Sequence, residues 1–284
     1  MNRCLAGLVL ATMVVAGPAL AQIASDYDVA RTSLVTSAEK GPSPQGYGKS
    51  VPKSIETVRY TSKAGEMLAW VMRPAGDITT VRPVLVFAHG GFALGAGSGA
   101  GDGDNDMAKP FVDAGFIVML PAVRGENGNP GNFEVFLGEV DDVIAAGRKA
   151  KTLAGADPDR VYLFGHSIGG GLATLAALSA DHPFRIVGAA GGNYSIVSCK
   201  DIAAEWGTFK ATDAECKARF PDTYLPKLKT PLYSYVGTGD GYASAYGRSF
   251  KLIASDQFHL VSLNGDHFSS VDAAIQDFIA QTRK

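Results

Sequence analysis

The chain has 284 residues, of which 46% are apolar and 19% charged, with a formal net charge of −2 at pH 7. That length suits one large α/β domain, and the composition supplies a sizeable core. The near-balanced charge offers no basic surface for a nucleic-acid partner.

The first 21 residues read as a segment outside the fold. Arg3 precedes an apolar stretch from Leu5 to Ala16, and Ala19-Leu20-Ala21 is the small-x-small pattern that a signal peptidase accepts. The stretch is too short to span a bilayer comfortably, and Gly17 and Pro18 break it, which favours a signal peptide over a transmembrane anchor. Cys4 precedes the apolar run, so it is a poor lipid-anchor site. The mature chain is therefore expected to begin at Gln22, to be periplasmic or secreted, and to carry no membrane anchor. Residues 22–53 end in "EKGPSPQGYGKSVPKS", whose Pro and Gly predict an extended arm on the surface of a catalytic domain over 54–284.

"SIETVRYTS" and "EMLAWVMRP" flank the turn signal "KAG" and predict a hairpin. "PVLVFAH" (83–89) is a continuous apolar run, as expected of a strand buried on both faces. "FIVMLPA" (116–122), "RVYLFGH" (160–166), "RIVGAAG" (185–191), "PLYSYVG" (231–237) and "FHLVSLN" (258–264) repeat the signature. Helical spacing lies between them. Asp106 is expected to cap a helix starting near Met107. Residues 134–153 put Phe136, Val140, Val143 and Ile144 on one face. The last segment carries Val271, Ala274, Ile275, Phe278 and Ile279, with Ser269 and Asp272 spaced as a capping box. The fold class is thus α/β: a mostly parallel eight-stranded sheet with helices on both faces, in the element order of the α/β-hydrolase fold.

About forty residues separate Gly191 from Pro231, more than a crossover requires. This insertion, about 193–229, is read as a small cap over the carboxyl ends of the strands. It contains Tyr194 and Trp206, and Cys199 and Cys216 are expected to pair across it, as two nearby cysteines do in an oxidising compartment. Two free buried thiols are the alternative, and no His or further Cys stands at metal-ligand spacing.

"RVYLFGHSIGGG" carries the chemistry. Gly165-His166-Ser167-Ile168-Gly169 fits G-x-S-x-G between an apolar strand and a helical run, the context of a nucleophile elbow. Glycines at 165 and 169 would relieve crowding at the turn, and Gly170 and Gly171 would let the helix approach the sheet. A serine hydroxyl needs a base. His267 in "NGDHF" lies just past the last strand, on the edge where Ser167 would emerge. Asp240 in "VGTGD" follows the preceding strand and gives the chain order Ser…Asp…His, with Asp266 as its rival for orienting the imidazole. An oxyanion hole would take the Ile168 N–H and a second donor from "HGGF", either Gly91 or Phe92. The continuation "ALGAGSGAGDGDND" fits neither a dinucleotide nor a P-loop fingerprint, and lacks the Gly and Glu of a calcium loop. No cofactor and no metal are expected.

"HGGF", "PAVRGENGNPG", "DDVIAAGRKAKTLAGADPDRVYLFGHSIGGGLAT", "VGTGD" and "DHF" together resemble the α/β-hydrolase superfamily, in its prolyl-oligopeptidase-like and dienelactone-hydrolase-like branches, over most of residues 55–284. The resemblance implies a serine hydrolase working through an acyl-enzyme. Prolyl-oligopeptidase-type exopeptidases carry a large propeller for which this length leaves no room, and dienelactone hydrolases have Cys where this chain has Ser167. Ester hydrolysis of a small molecule is therefore the expectation, with a compact peptidase or amidase as the alternative. A binding protein that had lost the chemistry would be expected to lack a triad member, and all three candidates are present. Phe92, Tyr194 and Trp206 suggest an apolar acyl or aryl group.

Overall fold

The computed structural model describes residues 25–36, 55–91, 103–192, 194–206, 209–241 and 250–284. One eight-stranded sheet runs in the order β1-β2-β4-β3-β5-β6-β7-β8. β1 (Glu56–Ser62) and β2 (Gly65–Met72) form the expected antiparallel hairpin, and β2 also runs antiparallel to β4 (Ile117–Pro121). β3 (Arg82–Ala88), β5 (Ala156–His166), β6 (Val187–Ala190), β7 (Leu232–Gly237) and β8 (Phe258–Leu263) continue parallel to β4. This is the α/β-hydrolase architecture.

The two-residue period of each strand divides the core between the two faces of the sheet. Leu85 and Phe87 of β3, with Tyr162 and Phe164 of β5, meet Phe111 of α2 (Gly103–Asp113) and Phe278 of the last helix, α7 (Val271–Gln281). Val84, Val86, Val161 and Leu163 face the opposite way, against α3 (Gly138–Ala150) and α4 (Ile168–Leu178). Each such side chain contributes about 1.5–3 kcal/mol by leaving water. A parallel sheet buried on both faces leaves the carboxyl ends of its strands as the edge on which loops build a site.

Between β6 and β7 the chain forms α5 (Cys199–Trp206) and α6 (Asp213–Arg219), each near a short 3₁₀ turn. A disulfide joins Cys199 to Cys216, with Cα atoms 5.7 Å apart.

Several local expectations differ from what the fold adopts. Within the predicted extended arm, Asp26–Thr32 is a helix, α1, because Ser25 and Asp28 form a reciprocal capping box. Tyr27 is only 1% exposed and packs on Tyr224 with ring centroids 5.4 Å apart. α2 begins at Gly103, so Asp106 lies inside it rather than at its cap. Ser269 does not cap α7: Ser270 occupies that position, and the Ser269 hydroxyl turns back to Asp266 at 2.8 Å. The helix predicted from 134 begins only at Gly138, and Val135 and Phe136 adopt left-handed backbone, φ 55° and 61°. The signal segment 1–21 lies outside the described residues.

Candidate active site

Ser167 stands between β5 and α4 with φ 53° and ψ −121°, a strained conformation for a residue with a Cβ. Its backbone N–H is held by the Ala190 carbonyl at 2.8 Å, and its hydroxyl is not spent on capping α4. Sequence explains how the turn closes. A Cβ on Gly165 would lie 2.1 Å from the Gly169 carbonyl oxygen, and one on Gly169 would lie 2.0 Å from that of Ala88. Gly171 has a different use from the one its position suggests: the space beside it is filled by the rings of Phe136 and Tyr194, 2.6 and 2.8 Å from where its Cβ would be.

His267 follows β8 in the loop to α7, and its Nδ1 lies 2.9 Å from Asp240 Oδ2. The Asp240 side chain is 1% exposed and that of His267 15%. Asp266 takes no part in this pair. Its Oδ1 accepts hydrogen bonds from the Phe268 and Ser269 N–H groups, at 3.0 and 2.8 Å, and these hold its carboxyl below the usual aspartate range. Gly191, at the end of β6 with φ 60°, leaves the room that the pair occupies: a Cβ there would meet the His267 ring at 2.9 Å. Glycine spacing in "AAGGN" is the sequence signal that could have marked it.

His166 also matters, although sequence assigns it only to the strand end. Its Nε2 donates to the His267 carbonyl at 2.9 Å, and its ring lies 4.9 Å from the His267 ring. Burial pushes its pKa down, which disfavours the charged imidazolium. His89, the first residue of the "HGG" run, is fixed by Glu126, Nε2 to Oε2 3.0 Å, which ties the end of β3 to the turn after β4.

Ser167, Ile168, His267, Gly90 and Gly91 line one cleft of about 510 Å³. Phe136, Tyr194, Ile202 and Phe268 give it apolar walls, and Asp201 and Glu205 from α5 add two carboxylates. Tyr194 is thus placed on the cleft wall. Trp206 closes α5, but its side chain lies outside what the structure describes, as does Phe92 altogether. Of the predicted oxyanion donors, Gly91 (φ 69°) and Ile168 both face the cleft that holds Ser167.

A serine on a strained strand–helix turn and a carboxylate-bonded histidine, lining one cleft at the carboxyl edge of this sheet, mark a serine hydrolase with the α/β-hydrolase fold. The chain belongs to the prolyl oligopeptidase family, which matches residues 105–254, more than half of its length. The quorum-quenching protein AidA of Acinetobacter baumannii (strain MDR-ZJ06) is 30% identical over 145 residues, 47% of this chain and 45% of that protein. The acylaminoacyl peptidase of Pyrococcus horikoshii superposes with a TM-score of 0.60 at 18% identity, covering 81% of this chain and 40% of that one. A puromycin-hydrolysing peptidase of Mycobacterium tuberculosis gives 0.63 at 19% identity, covering 81% and 39%. This chain spans less than half of each of these relatives, and at such identities the structural likeness shows the fold.

Proposed function

We propose that this chain is an exported serine esterase in which Ser167 attacks the ester carbonyl. His267 takes the serine proton through Nε2 and returns it to the leaving alcohol, while Asp240 holds Nδ1–H and stabilises the imidazolium. The Ile168 N–H, with Gly91 as its partner, receives the developing oxyanion. Water activated by His267 then releases the acid. The observation that carries this reading is the 2.9 Å His267–Asp240 hydrogen bond, made by a ring that lines the same cleft as Ser167. The apolar cleft walls suit an acyl or aryl group. Export is supported by the leader-like first 21 residues and by a disulfide of the kind oxidising compartments maintain. The test is hydrolysis of p-nitrophenyl acetate and butyrate by wild type and Ser167→Ala. Turnover is expected to fall to background in the variant, and equal rates would end the proposal.

A second reading, a compact peptidase or amidase, has its own support. Peptidases occur among the structural relatives, and Asp201 and Glu205 in the cleft would attract a substrate amine. Cleavage of fluorogenic peptides with negligible esterase activity would reverse the order.

A further inference from the structure

One wall of the cleft is held under strain by a residue that does not line it. Val135 and Phe136 are consecutive left-handed residues, one β-branched and one bulky, a strain that persists only where the surrounding structure holds it. The surroundings here are specific. Arg219 of α6, 0% exposed, donates through Nη1 to the carbonyls of Glu134 and Val135, the latter at 2.7 Å. Its remaining nitrogens are fixed by Glu215 Oε2 at 2.7 and 3.1 Å and by Thr36 Oγ1 at 2.9 Å, and the guanidinium lies 4.2 Å over the Phe209 ring. From the other side, the buried Glu139 carboxylate accepts the N–H groups of Glu134 at 2.5 Å and Leu137 at 3.1 Å. The backbone so clamped sends the Phe136 ring into the cleft. It stands 4.9 Å from Tyr194 and over Gly171 at the start of α4.

We infer that Arg219 is a positioning residue which, by holding the carbonyls of residues 134 and 135, sets the depth of the acyl subsite through Phe136. The cap thereby fixes substrate length from a buried position. This rests on the esterase reading. Arginine suits the task because its planar fork reaches two carbonyls and a carboxylate at once, which the compact ammonium of lysine does not.

The readout is the ratio of kcat/KM for p-nitrophenyl hexanoate to that for the acetate, with active sites titrated by a fluorophosphonate probe. Phe136→Ala opens the subsite and is expected to raise the ratio about tenfold, the scale of a few methylenes in an apolar pocket. Arg219→Lys is expected to raise it in the same direction. The double variant is expected to match Phe136→Ala alone, because Arg219 acts through that ring. A purely structural role would lower the titratable fraction and leave the ratio unchanged. Should Arg219→Lys yield no titratable sites, Arg219→Met with Glu215→Met removes the guanidinium without stranding a buried charge, and the same shift is expected. A wild-type ratio in the folded Arg219 variants, or a shift that adds fully to that of Phe136→Ala, overturns the inference. A wild-type protein that neither turns over esters nor takes the probe overturns the esterase reading and this inference with it.

Discussion

Replacing Asp240 by Asn separates the two carboxylates that compete to orient His267. Asp240 Oδ2 accepts from His267 Nδ1 at 2.9 Å in a side chain only 1% exposed, so little water is present to take over its charge. With charge centres about 4 Å apart and an effective dielectric near 20, the carboxylate favours the imidazolium by about 4 kcal/mol, a factor of ~10³ in rate. An asparagine amide that turns its NH₂ toward Nδ1 would also move the ring proton to Nε2, where it cannot serve as base, adding about another factor of 10. Asp240→Asn is therefore expected to lower kcat for p-nitrophenyl butyrate by about 10³ to 10⁴, with KM nearly unchanged and fluorophosphonate labelling slowed in proportion. Asp266→Asn is the control. Its carboxylate serves the Phe268 and Ser269 N–H groups, so the loss is expected to stay below about tenfold. An Asp240→Asn enzyme within tenfold of wild type, or an Asp266→Asn enzyme as impaired as Asp240→Asn, would refute the reasoning.

Two further outcomes follow from the cap and from the second histidine. Replacing Cys199 and Cys216 by Ser releases a loop with a sequence separation of 17 and should cost about 3 kcal/mol, lowering Tm by about 10 °C in circular-dichroism melts. Alkylation of the unreduced wild-type chain should add no mass to these positions, and a labelled native protein or an unchanged Tm would contradict the link. His166 is held below its ordinary value of 6.5 by burial, so the unfolded chain binds a proton there before the folded one does. Its contribution to stability is complete above pH 6.5 and is lost as the pH falls below it. His166→Gln keeps an N–H for the His267 carbonyl but cannot titrate, so its loss of unfolding free energy between about pH 7 and pH 5 should be smaller than that of wild type in urea titrations. Equal losses would count against the assignment.

Which of these features could be read from the sequence follows from the range of the forces that make them. The strands are legible because a segment buried on both faces must be apolar throughout, as "PVLVFAH" and "RVYLFGH" are. The elbow is legible because part of its crowding is local, Gly165 against Gly169, although Gly169 itself answers the distant Ala88 carbonyl. The chain order Ser…Asp…His nominates Asp240 and His267, which the structure joins by a hydrogen bond. The segment 134–137 is not legible. Its apolar spacing reads as the first turn of α3, but its backbone is decided by Arg219 and Glu139, and Arg219 lies more than eighty positions away. Gly171 misleads in a similar way, since the rings that need its space come from Phe136 and Tyr194 rather than from the sheet. Pro and Gly downstream of α1 likewise conceal that Tyr27 has a buried partner near the far end of the cap.

That partnership governs the order in which the molecule can be completed. Tyr27 docks on Tyr224 and Lys227 pairs with Asp26 close by, while Arg31 pairs with Asp141 and Asp28 accepts from the Ala180 N–H, so the seat of α1 is complete only once the chain beyond residue 224 has been made. The contact between Tyr27 and Tyr224 must bring together positions almost two hundred residues apart. Until that happens, the face of α6 that α1 covers stays open.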